Sequence, residues 1–113
     1  MNLTTEHHGD VAVVRVLESR MLYPILSDFA DTVTGLVQQG QRKLLIDLSP
    51  VTYLDSATIG CLMDVYRQMS GAGGVVKLSG VQKRVETMLT MTGTQNFIEV
   101  HPDADTALAS FGG

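Results

Sequence analysis

Cysteine is nearly absent from this 113-residue chain. Cys61 stands alone, which excludes an internal disulfide framework and any multi-cysteine zinc site. Its place in a helical stretch suits a half-buried thiol acting as a small hydrophobe. Basic charge is scarce too: eight lysines and arginines face twelve aspartates and glutamates, for a net charge of −4. The densest basic pairs, Arg42-Lys43 and Lys83-Arg84, are too short to track a phosphate backbone, so no nucleic acid is expected as a partner. No apolar run approaches the ~20 residues that a membrane-spanning helix needs. The opening residues, Met-Asn-Leu-Thr-Thr-Glu-His-His, lack the basic and apolar blocks of a signal peptide. The expected location is therefore cytoplasmic, with no membrane insertion. Histidine is confined to His7, His8 and His101. That distribution supplies no base for a serine nucleophile and no metal-binding spacing, so neither an enzyme nor a cofactor is expected.

What is present is ordinary for a globular protein: 44% hydrophobic and 18% charged residues, with three prolines. The length suits one domain over residues 1–113 that buries a core without disulfides or metal. Val11 to Leu17, β-branched and broken only by Arg15, predicts a strand, with Leu3 to His7 as a short partner and Gly9-Asp10 as the turn. From Leu22 the period changes. Leu22, Ile25, Leu26, Phe29, Val33, Leu36 and Val37 mark one face of a helix, with Pro24 in its first turn and Gly40 after its end. Leu44 to Leu48 predicts a strand buried on both faces, followed by a short extended piece, Val51 to Leu54.

A second helix carries Ile59, Leu62, Met63, Tyr66 and Met69 inward and ends at Gly71-Ala72-Gly73-Gly74. Those glycines lie between helix and strand, the wrong order for a phosphate loop. Val75 to Ser79 predicts a strand, and Gly80 opens a third helix with Val81, Val85, Met88 and Leu89 inward. Asn96 to Val100 predicts a last strand, and Ala104 to Phe111 a helix capped by Asp103 or Asp105. Met63, Met69, Met88 and Met91 are expected as core filler, any surface ones near Ser56 forming an adaptable patch. The alternation after the first two strands implies a mixed, mostly parallel central sheet. The exposed edge of the first strand leaves homodimer formation by edge pairing open.

The junction Asp55-Ser56-Ala57-Thr58-Ile59-Gly60 joins extended chain to helix. Asp and Ser are both favoured caps, each worth about 1 kcal/mol. One of them fills the cap, and the other is free. A serine released from capping is a small handle at a helix start, where an added phosphate is tolerated locally while the outer surface changes charge. Ser56 lacks the glycines of a Gly-x-Ser-x-Gly elbow, which argues against a hydrolase. Asp47 and Asp55 bracket the loop after the central strand. A receiver-type phosphoacceptor would also need an acidic pair after the first long strand, where Leu17-Glu18-Ser19-Arg20 offers one Glu. Asp47 is read as a strand-end acid accepting hydrogen bonds from nearby backbone N–H groups.

The run Leu45-Ile46-Asp47-Leu48-Ser49-Pro50-Val51-Thr52-Tyr53-Leu54-Asp55-Ser56-Ala57-Thr58-Ile59-Gly60 closely resembles the signature of the STAS domain, the anti-sigma factor antagonist family. Gly80-Val81, Val85, Met88-Leu89 and Thr92-Gly93 resemble the family's third helix and exit turn, so the likeness covers about residues 11–111. It implies a STAS fold: a mixed central β-sheet with helices packed mainly on one face. It also implies a partner switch. The unphosphorylated antagonist binds an anti-sigma factor, usually a GHKL-type serine kinase, and frees a sigma factor. Phosphorylation of the Asp-Ser serine breaks the complex, and a PP2C-type phosphatase resets it.

By motif position the phosphoacceptor is Ser56. The expected partner-binding set is Asp55, Ser56, Ala57, Thr58 and Ile59, with Glu18, Arg20 and Met21 from the earlier loop and the strand-end Asp47. Thr58 offers a second hydroxyl, read as helix packing. Many family members carry Gly-x-Leu-Asp and then Thr after the second strand. Here Leu17-Glu18-Ser19-Arg20-Met21-Leu22 stands instead, with Glu18 in place of the acid and Arg20 altering the charge. That departure motivates the alternative of a STAS scaffold module in a larger signalling or transport-associated assembly, with Ser56 merely capping its helix.

Overall fold

The computed structural model describes residues 3–112. Leu3–His8 (β1) and Val11–Val16 (β2) form an antiparallel hairpin closed by Gly9-Asp10, Gly9 taking the positive φ of +63° that the tight turn needs. The next strand in sequence, Arg20–Met21 (β3), leaves this sheet altogether. Tyr23–Gln38 (α1) follows, with Pro24 in its first turn. Lys43–Asp47 (β4) then runs parallel to β2, with Arg15 opposite Asp47. Tyr53–Leu54 (β5) pairs in parallel with β3, making a separate two-stranded sheet, Arg20 opposite Tyr53 and Met21 opposite Leu54. The chain continues through Ser56–Gly71 (α2), Val75–Ser79 (β6), Lys83–Met91 (α3), Glu99–His101 (β7) and Ala104–Ser110 (α4).

The main sheet has the order β1-β2-β4-β6-β7, mixed because β1 alone is antiparallel. One face packs against α1, α2 and α3, and the inward residues Phe29, Val33, Leu62, Met69, Val85 and Leu89 are buried with Val14, Leu44, Ile46 and Leu78 of the strands. Burying each such side chain contributes roughly 1.5–3 kcal/mol. Among the described residues the other face carries only α4, whose Ala107 covers Val11, Val13 and Leu45. Lys77 on that face is buried, and its ammonium donates to the Ser110 carbonyl at 3.0 Å and the Ser110 hydroxyl at 2.8 Å, 4.7 Å from the Phe111 ring centroid. It thus holds the last turn of α4, where carbonyls lack helical partners and a cation is favoured.

Several boundaries differ from the sequence expectation. The strand expected over Asn96 to Val100 is Glu99–His101, because Thr94–Asn96 coil into a 3-10 turn after Gly93 at φ +75°. The third helix starts at Lys83 with Gln82 at its N-cap, so Gly80-Val81 precede it. Met91 is 82% exposed and is not core filler, while Met69 is buried and Met63 and Met88 are half-buried. Asp103, not Asp105, caps α4, accepting from Thr106 N–H at 2.7 Å.

Candidate functional site

The α2 helix begins three residues earlier than the periodicity of its inward face announces, at Ser56. Asp55 is the N-cap: its Oδ1 accepts the Thr58 N–H at 2.9 Å. Its other carboxylate oxygen accepts the Tyr23 N–H at 3.2 Å, at the start of α1. One side chain therefore ties the first turns of two helices together. The Thr58 hydroxyl lies 2.7 Å from Asp55 Oδ1 and 2.6 Å from the Met21 carbonyl oxygen. It has one proton and serves one of these acceptors at a time, so the backbone N–H is the steadier donor. Hydrogen bonds from Thr58, side chain and then backbone, and from Tyr23 hold the Asp55 carboxyl below the usual carboxylate range, against a smaller opposing effect of burial.

With Asp55 in the cap, Ser56 is left exposed, and its hydroxyl makes no hydrogen bond to any described residue. Of the other expected site residues, Ala57 and Arg20 are exposed, while Asp55, Ile59 and Glu18 are partly exposed. Met21, Thr58 and Asp47 are buried, at 0%, 0% and 4% exposure. In this arrangement the last three hold the loops in place rather than face outward. Ser19 adds to that lacing: its carbonyl accepts the Thr52 N–H at 2.7 Å. The β3–β5 sheet, the Thr58–Met21 contact and the Asp55–Tyr23 bond thus bring residues 18–23 against the start of α2.

Sequence reasoning missed the exposed aromatic residues of this region. Tyr23 is 73% exposed and Tyr53 37% exposed, and the Arg20 guanidinium carbon lies 5.4 Å from the Tyr53 ring centroid. Two-residue strands carry too few positions for any period to show, so nothing in the pattern pairs Arg20 with Tyr53. Val51 and Leu54 point inward and Thr52 and Tyr53 outward, a pattern that breaks strict alternation and gives no strand signal.

Asp47 closes the carboxyl end of β4. It accepts from Arg15 at 2.5 Å, from Ser49 N–H at 3.0 Å and from the Ser49 hydroxyl. Arg15 reaches on to Glu6 at 3.5 Å, joining β1 to the network. The expected role of Asp47 as an acceptor of a neighbouring N–H is what this geometry shows.

Two predictions arise here. Gly60 lies inside α2, exposed, and a methyl group added to it meets nothing within 4 Å. Gly60→Ala is expected to stabilise the domain by about 0.5–1 kcal/mol, read as a higher urea midpoint. Asp55→Ala is expected to cost about 1 kcal/mol at pH 7 through loss of the cap. Because the folded Asp55 carboxyl titrates below its unfolded value of about 3.9, its contribution is present above that pH and disappears as the pH falls through the folded value. The gap between the urea midpoints of the parent and Asp55→Ala should therefore narrow as the pH falls below about 4.

Residues 2–107 match the sequence model of the STAS domain. The chain belongs to the STAS domain family. Among relatives of this STAS domain is a Thermotoga neapolitana protein named as an anti-sigma factor antagonist homolog, 28% identical over 72 residues. That alignment spans 64% of each chain. An anti-sigma-factor antagonist domain protein from Planctomyces limnophilus shares the fold with a TM-score of 0.88 at 21% identity, covering 98% of both chains. The Bacillus cell fate determinant SpoIIAA in its phosphorylated form has a TM-score of 0.76 at 12% identity, covering 97% of this chain and 99% of that one. Among the described residues of this STAS domain, no helix is long and apolar enough to cross a membrane.

Proposed function

We propose that this STAS domain is an anti-sigma factor antagonist, a cytoplasmic, non-enzymatic partner switch controlled by phosphorylation of Ser56. One observation carries the proposal: Asp55 occupies the cap, so Ser56 is exposed and free of intramolecular hydrogen bonds among the described residues. A serine needed to cap α2 would be held inward and would destabilise the helix when modified. Here a phosphate adds nearly two negative charges beside the unpaired N–H groups of the first turn, which accommodate an anion. The fold survives, and the surface changes sign.

The unmodified protein docks Ser56, Ala57, the exposed part of Ile59 and the Glu18–Arg20 loop onto an anti-sigma factor, a serine kinase of GHKL type. Removal of that partner frees a sigma factor. Phosphate on Ser56 breaks the contact through charge and desolvation, and a PP2C-type phosphatase restores it. The alternative of a scaffold in which Ser56 caps the helix finds less support, since Asp55 holds that position.

The test compares Ser56→Ala and Ser56→Asp as tagged baits in cells of the source organism. Ser56→Ala is expected to retain a kinase-type protein that Ser56→Asp loses, while both variants unfold within about 1 kcal/mol of the parent. Equal retention of that kinase by the two baits would contradict the switch.

A further inference from the structure

Arg20 departs from the family pattern, and beyond its place in the docking loop the switch as described gives its guanidinium no specific partner. It is exposed, and no carboxylate lies within ion-pair distance of it among the described residues. Its guanidinium rests against the Tyr53 ring, 5.4 Å from guanidinium carbon to centroid. Its backbone, by contrast, is firmly placed. Arg20 pairs with Tyr53 across the small sheet, the carbonyl of the next residue, Met21, takes a contact of 2.6 Å from the Thr58 hydroxyl, and Tyr23 donates to Asp55. The segment beginning at Arg20 is thus laced to Asp55 and Thr58, the residues on either side of Ser56-Ala57. An unpaired guanidinium on a fixed backbone, held by a surface cation–π contact, needs only rotamer changes to leave its ring. A bidentate guanidinium–phosphate pair is the stronger of the two interactions.

We infer that Arg20 is the internal receptor for the phosphate on Ser56, leaving the Tyr53 face to pair with it. This rests on Ser56 being the modified residue. Phosphorylation then changes the docking surface at two places. It places a partly neutralised phosphate at the start of α2, and it uncovers the Tyr53 ring two residues before the cap. No bond is made or broken beyond the phosphorylation itself.

The experiment installs phosphoserine at position 56 during translation, so that no kinase is required, in the parent chain and in Arg20→Gln. Titration of the phosphate by phosphorus NMR reads its second ionisation, ordinarily near pH 6. The N–H groups of the first α2 turn and the carboxylates of Asp55 and Glu18 are the same in both chains, so the difference between the chains isolates Arg20. The expected result is an ionisation lower in the parent by about half a pH unit or more. Tyr53 ring resonances should also move on phosphorylation in the parent and stay still in Arg20→Gln. Identical titrations with unmoved Tyr53 resonances would overturn the inference. Binding of the partner kinase to the same two phosphorylated chains reports separately on the switch: loss in both sustains it, and retention in both defeats it without touching the titration result.

Discussion

Gly80→Ala is expected to destabilise this domain by about 2–3 kcal/mol. Gly80 sits just past β6 at φ +70°, in the left-handed region where a side chain is strained. A Cβ there would lie 3.0 Å from Asp47 Oδ1 and closer still to the Ser49 hydroxyl. Its Cβ would push Ser49 off Asp47 and disturb the Gly80 N–H bond to the His101 carbonyl, now 3.1 Å. About 1–2 kcal/mol of backbone strain adds to about 1 kcal/mol for the displaced hydrogen bond. The measurement is urea unfolding by circular dichroism. A loss under about 1 kcal/mol would show that the junction of β6 and α3 yields without strain.

Asp47→Ala is expected to cost about 2–3 kcal/mol. Asp47 is 4% exposed and holds Arg15 and both donors of Ser49. Removing one partner of a fully buried pair costs roughly 3–5 kcal/mol. Arg15 keeps 31% of its side chain exposed and retains Glu6, which lowers the expectation. Asp47→Asn keeps the acceptor for Ser49 and should lose less. The consequence reaches the candidate site, because the loop from Leu48 leads through Val51 to Asp55. Asp47→Ala should therefore also raise amide exchange at Thr52 and Thr58. Unchanged exchange there would confine Asp47 to the strand ends.

Much of this was legible in the chain. The 3.6-residue period of Leu26, Phe29, Val33 and Leu36 located α1, and all four are buried. The apolar run at Leu44 to Leu48 located the central strand, flanked on both sides by parallel neighbours. Alternation of strand and helix gave the mixed sheet. The sequence leaves Asp55 and Ser56 as equal candidates for the cap, since both residue types cap well, and the geometry gives it to Asp55. Other features left no trace in the pattern. The β3–β5 sheet uses two residues on each side, too few for periodicity, and depends on residues far apart in sequence. Lys77 reads as a polar interruption in β6, and its burial follows from where α4 ends. The last strand runs over Glu99–His101 rather than from Asn96, because the 3-10 turn at Thr94–Asn96 takes Asn96 out of extended chain and delays the strand. Met91 has the residue type of a core position but falls on the outer side of α3.

The central claim is that the state of Ser56 decides whether the partner stays bound. The most direct measurement is calorimetric titration of the kinase captured by Ser56→Ala into two preparations of this chain, unmodified and carrying phosphoserine at position 56. The account predicts that the phosphorylated chain binds at least ~100-fold more weakly, a difference of about 2.7 kcal/mol. Equal dissociation constants for the two preparations, with both correctly folded, would contradict it.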